Sequence, residues 1–124
     1  VSGKVRKRFH EFMDRNLRLA RQIAEAAGAE ELPVVFGGDF NAPAQGKVAR
    51  MLAGAFQDAH REAGGGCGFT FPGATRNPFA LFGPWMRIDH IYSNQKLRPV
   101  GCRVEAERPS QHRAVAAGFD LSSL

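Results

Sequence analysis

Cysteine is scarce in this chain, and with two residues in 124, Cys67 and Cys102, there is neither a metal-ligand cluster nor a spaced motif. A disulfide framework or a zinc site is therefore not expected. Long hydrophobic runs are missing too. Although 44% of the residues are hydrophobic, no apolar stretch approaches the ~20 residues that cross a bilayer, which predicts a soluble globular chain with no membrane span. The amino terminus is basic and then amphipathic, without the continuous apolar centre of a signal peptide, so cytoplasmic is the default expectation. There is no internal repeat, low-complexity tail or domain boundary. Acidic residues are the minority, 12 against 17 Lys and Arg, which leaves a net charge of +5 and a pI near 9.9. That balance suits a partner carrying phosphates but does not require one. The length allows one domain with a real core.

What is present begins with a helical pattern. Between residues 5 and 27, Val5, Phe9, Phe12, Met13, Leu17, Ala20, Ile23, Ala24 and Ala27 recur at a spacing near 3.6, which predicts an amphipathic helix stopped by Gly28. Its other face is crowded with basic residues, among them Lys4, Arg8, Arg15 and Arg18, and reads as a solvated face or as a phosphate-contacting surface.

Pro33-Val34-Val35-Phe36-Gly37-Gly38 then reads as a short buried strand, and the turn after it is marked by Asn41 and Pro43. Asp39 and Asn41 sit at that strand's carboxyl end, where α/β sheets bind ligands. The same two residue types also satisfy local backbone donors in turns. Further on, Lys47 to Leu52 reads as a short helix, Gly64 to Gly66 as a flexible loop, and Phe69 to Pro72 as a brief strand. Gly73 to Met86 is an aromatic loop containing Phe79, Leu81, Phe82 and Trp85. Such a length without periodicity is uncommon unless the loop has a function; the alternative is a hydrophobic plug over the core.

Arg87 to Tyr92 reads as a strand that carries a carboxylate and an imidazole in its middle, with Arg87, Asp89 and Ile91 on one face and Ile88, His90 and Tyr92 on the other. A carboxylate inside a sheet needs a partner; His112, at the entry to a final strand from Ala114 to Phe119, is the candidate. His90 reads as a structural strand residue. Val100 to Val104 is another strand, and residues 105 to 109 connect it to Ser110-Gln111-His112.

Gly38-Asp39-Phe40-Asn41, Arg87-Ile88-Asp89-His90 and Ser110-Gln111-His112 occur in that order. In this the chain resembles the endonuclease/exonuclease/phosphatase superfamily of deoxyribonuclease I-like hydrolases, whose signatures are Gly-Asp-Phe-Asn, Arg-Ile-Asp-His and Ser-Asp-His. The first two match letter for letter. The third departs, with Gln111 where the superfamily usually has an Asp.

The resemblance covers nearly all of residues 1–124 and corresponds to the carboxyl-terminal half of the superfamily domain. It implies an α/β (α+β) fold: a mainly antiparallel sheet of about five strands with helices on one face, half of a four-layer α-β-β-α sandwich. It implies metal-dependent phosphoester hydrolysis by a phosphodiesterase, nuclease or phosphatase, with Asp39, Asn41, Asp89 and His112 as catalytic residues. In that assignment Asp39 orients or deprotonates water, Asn41 bonds the nucleophile or a phosphate oxygen, and Asp89 holds His112 against the phosphate. Asn41, Trp85 and Arg87 become the candidate substrate contacts.

The implied cofactor is Mg²⁺ or Mn²⁺, with Asp39 and Gln111 as ligands. Binding should be weak in this chain alone, since the superfamily's principal ligand is a Glu in the amino-terminal half and Gln111 lacks the charge of an Asp. The implied partners are a phosphate-ester substrate (nucleic acid, phospholipid or small phosphoester) and, over the apolar sheet face that its own helices leave bare, a second copy or an amino-terminal half. Two rival expectations remain. One is a partial domain that keeps the fold without catalysis; the other is a basic nucleic-acid-binding module without chemistry.

Overall fold

The computed structural model describes residues 3–74, 78–106 and 109–121. The amphipathic pattern forms helix α1, Gly3–Gly28, with Gly28 as its last residue. Only its second half packs. Ala20 and Ala27 are buried and Leu17 and Ala24 lean on the same core, small side chains that let the helix lie close to α2, Lys47–Ala53. The first turns carry Val5 and Phe9 at 57% and 60% exposure.

Strand β1 is Val35–Asp39. It pairs antiparallel with β3, Asp89–Ser93, from Val35 opposite Ser93 to Asp39 opposite Asp89. On the other side of β3 lies the two-residue β2, Gln57–Asp58, which runs into α3, Ala59–Ala63. The last two strands, β4 at Leu97–Val104 and β5 at Val115–Leu121, form an antiparallel hairpin pair with an irregularity between Pro99 and Gly101. Four of the expected strands are present, β1, β3, β4 and β5, and the two-residue β2 is a fifth that was not expected; their pairings are all antiparallel, divided between a three-stranded and a two-stranded sheet. The brief strand expected at Phe69 to Pro72 reduces to a single bridge, Phe71 to Met86.

The helices cover one face. Between them and the sheet sit Val48, Leu52, Phe56 and Tyr92, with Phe36 and Phe40 packed against them. The Phe36 ring stacks on Tyr92 at 5.4 Å and meets Phe56 edge-on at 5.0 Å, geometries that aromatic quadrupoles favour. Alternation sends the neighbouring residues the other way, so Val35 is 47% exposed. With Ile91 and Val115 it lines an open cleft of about 680 Å³ across the uncovered face.

Among the described residues of the loop after Gly73, Leu81, Phe82 and Trp85 do not plug the core. A 3₁₀ turn at Pro78–Phe82 holds Leu81 and Phe82 at 80% and 91% exposure, and Trp85 is half exposed. Residues 75–77 of this loop, and residues 107–108 of the connection to the third motif, lie outside the described residues. Among the described residues no helix is long and apolar enough to cross a membrane.

Candidate active site

The register of β1 against β3 places Asp39 and Asp89 opposite each other at one end of the sheet. Beyond Asp39 the chain turns sharply: Asn41 takes a left-handed backbone at φ 48°, a conformation Asn tolerates better than most residues. Its N–H donates to Asp39 Oδ1 at 2.8 Å. The turn chemistry of Asp-x-Asn is therefore present, and it engages one carboxylate oxygen while leaving Oδ2 directed at His112.

His112 lies on the irregular segment before β5, and its Nδ1 is 2.9 Å from Asp89 Oδ2. An ionised carboxylate only accepts, so Nδ1 carries a proton, and in the neutral ring Nε2 then presents its lone pair. Asp39 Oδ2 lies 3.8 Å from that Nε2, too far for a direct hydrogen bond. The result is a row of carboxylate, imidazole and carboxylate with one gap in it. The imidazole is 30% exposed and the Asp39 carboxylate 37%, so the row opens to solvent at the Asp39 end, while Asp89 is 18% exposed beneath it.

Other expected site residues are placed elsewhere. Arg87 does not share the face of Asp89: strand pairing begins at Asp89, so period-two alternation does not reach back to residue 87. Its guanidinium instead grips both oxygens of Asp58 at 2.9 Å each. His90 is buried, and its Nε2–H donates to Ala42 O at 2.8 Å, the structural role expected of it. Trp85 donates its backbone N–H to Phe71 O at 3.0 Å, and it is not among the residues lining the cleft beside Asp89 and His112. Gln111 is exposed, and its backbone carbonyl accepts from Gly73 N–H at 2.6 Å.

Two residues that sequence reasoning passed over organise this end of the molecule. Asp58 caps α3 through the N–H groups of His60 and Arg61 while holding Arg87. An Asp before Ala-His-Arg-Glu is an N-cap signal, and it was legible. Thr70 is fully buried and binds the backbone of Asp89 and of Arg113. Nothing in its sequence context marks that.

As a donor set for a cation, Asp39, Asp89 and His112 place their ligand atoms within 4.8 Å of one another. Two of the three are already committed to each other. Mg²⁺ requires several oxygen ligands, and the row offers two carboxylates, one of them hydrogen-bonded to His112, so these residues alone do not complete a Mg²⁺ site.

The chain belongs to the Endonuclease/Exonuclease/phosphatase family, whose profile matches residues 8–112. Among solved structures it is similar to a functionally unknown conserved protein from Enterococcus faecalis, at 24% identity and a TM-score of 0.70, covering 86% of this chain and 44% of that one. An endonuclease/exonuclease/phosphatase from Bacteroides vulgatus is 27% identical with a TM-score of 0.64, covering 86% and 42%. A mannosyl-6-phosphatase from Bacteroides thetaiotaomicron is 20% identical with a TM-score of 0.63, covering 86% and 44%. The chain thus spans less than half the length of these proteins. No curated protein sequence matches it.

Proposed function

We propose that this chain carries the acid–base portion of a metal-dependent phosphoester hydrolase and corresponds to the carboxyl-terminal half of the family domain. Family membership supports phosphoesterase chemistry at the level of the family. The observation that carries the reading further is the 2.9 Å contact between Asp89 and His112 beside the open Asp39 carboxylate.

In this reading Asp89 fixes the ring tautomer, so that His112 Nε2 faces the reacting phosphate and holds or moves a proton there. Asp39 Oδ2 orients the attacking water across the gap, and Asn41, at the same turn, bonds the water or a phosphoryl oxygen. Members of the family are generally metal-dependent; a divalent cation, when bound, neutralises charge developing on the phosphate. Its remaining ligands come from outside the residues described above. The substrate class is a phosphate ester of nucleic acid, phospholipid or small-molecule type, with Trp85 as a contact.

The test is turnover of a generic phosphodiester and a generic phosphomonoester with Mg²⁺ or Mn²⁺. Asp89→Asn and His112→Ala should each lower kcat by about 10²- to 10⁴-fold, the usual contribution of a positioned acid–base group. Activity that survives both substitutions rules the assignment out. A binding module without chemistry is favoured by one observation, the exposed basic turns of α1, where Arg15 lies over the Phe12 ring at 5.6 Å. Nucleic-acid binding with a steep salt dependence and no turnover would select it.

A further inference from the structure

Asp89 sits on a strand and His112 on an irregular segment 23 residues away, so something must hold one against the other. The segment from Thr70 to Gly73 contacts both. Thr70 Oγ1 accepts hydrogen bonds from the N–H groups of Ile88 and Asp89, each at 3.3 Å. The carbonyl of the same residue accepts from Arg113 N–H at 2.8 Å, and its own N–H donates to Met86 O at 2.8 Å. One buried residue thereby ties the backbone of Asp89 to the residue following His112.

The next residues continue the pattern. The Phe71 ring lies 5.0 Å from the His112 ring, tilted by 50°, and limits rotation of the imidazole. Gly73 donates its N–H to Gln111 O at 2.6 Å. A Cβ at Gly73 would approach Ser110 O to 2.5 Å, so the absence of a side chain is what permits the contact. None of these three residues belongs to the carboxylate–imidazole row, and each meets a segment that carries part of it.

We propose that Thr70, Phe71 and Gly73 are positioning residues that together set the Asp89–His112 pair, acting through backbone and ring contacts and without touching substrate. The inference rests on the reading of Asp89 and His112 given under Proposed function. Its physical basis is that a catalytic hydrogen bond between separate elements is only as well placed as the backbone beneath it, and a displacement of about 1 Å costs on the order of 10²-fold in rate.

Four variants of the full chain test it. Thr70→Val keeps the shape and removes the acceptor, Thr70→Ser restores it, Gly73→Ala drives a Cβ onto the Ser110 carbonyl, and Phe71→Leu removes the ring. Two readouts are taken: kcat and KM with bis(p-nitrophenyl) phosphate and Mg²⁺, and the downfield imidazole proton resonance of the His112 Nδ1–H bond to Asp89. Thr70→Val and Gly73→Ala should lower kcat by about 10- to 100-fold with KM changed less than about twofold, as expected for misplacement. Both should shift or abolish the resonance, Phe71→Leu should do so more weakly, and Thr70→Ser should behave as wild type. Variants that fold and retain both kcat and the resonance overturn the proposal, as does Thr70→Ser failing where Thr70→Val fails. If Thr70→Val does not fold, Gly73→Ala and Phe71→Leu decide. If the wild type shows the resonance but no turnover, the hydrolase reading fails while the resonance still decides the positioning role.

Discussion

Asp58 meets Arg87 through both oxygens with 5% and 11% side-chain exposure. It also faces His90 Nδ1 at 3.9 Å, a nitrogen with no hydrogen-bond partner among the described residues. Burial pushes the Asp58 carboxyl up, but the hydrogen bond and charge of Arg87, the Arg61 amide and the charge of His90 outweigh it, and its pKa lies below the ordinary 3.8. Burial holds His90 below 6.5, with the Arg87 charge acting in the same direction against the Ala42 bond and the charges of Asp58 and Asp89. Both shifts are downward, so each group contributes stability that is full above its unfolded value and is lost as pH falls through its folded one. Acid destabilisation should therefore begin below pH 6.5 through His90 and steepen below 3.8 through Asp58. Urea midpoints measured against pH check this, and His90→Gln should flatten the decline between those two values. Arg87→Ala leaves a buried carboxylate without its cation and should cost about 3–5 kcal/mol; a loss under 1 kcal/mol would mean that the cap bonds from His60 and Arg61 suffice. A second residue-scale expectation concerns the metal. Calorimetry should find Mg²⁺ binding weak, because the row offers two carboxylates, one of them hydrogen-bonded to His112, where a hard cation takes several oxygen ligands, and Gln111→Asp should strengthen it. Micromolar affinity abolished by Asp39→Ala would show that the row suffices.

Elements differ in how far local pattern determined them. α1 follows its apolar spacing and stops at Gly28, because a helix of this length is specified by contacts three and four residues apart. β3 begins two residues later than the apolar run suggests, since a strand ends where its partner's hydrogen bonds end, and β1 stops at Asp39. That shift sends Arg87 to Asp58 and away from the cleft. The loop after Gly73 is the clearest ambiguity: its aromatic content suited a core plug and an exposed rim equally. Its tip is exposed, so Leu81→Ser and Phe82→Ser should change stability by less than about 0.5 kcal/mol, as surface substitutions do. Chemical denaturation measures it, and a cost above about 2 kcal/mol would show that the tip is buried in solution.

For the whole molecule the uncovered sheet face has the larger consequence. Helices close one side, while Val35, Ile91 and Val115 line an open cleft on the other. The chain spans 44% or less of the solved relatives named above, so a second sheet, from a further segment or a second copy, is the proposed cover. Soluble proteins seldom leave more than a few hundred Å² of contiguous apolar surface bare. Size-exclusion chromatography with light scattering on the isolated chain should find a dimer at tens of micromolar. A well-behaved monomer would rule out self-association through this face.

The amino-acid sequence by itself determined helix α1, four strand segments, β1, β3, β4 and β5, and the three motifs, because each depends on side-chain periods and turn residues that act within a few positions; β2 and the reduction of Phe69 to Pro72 to one bridge depend on distant partners. It also placed His90 in the structure and not in the chemistry. Only the tertiary structure decided that Asp39 and Asp89 face each other across a strand pair, that Arg87 belongs to Asp58, and that Thr70 lies under the site. Those outcomes depend on register and on contacts between residues 19 to 50 positions apart, and local propensity carries no information about either.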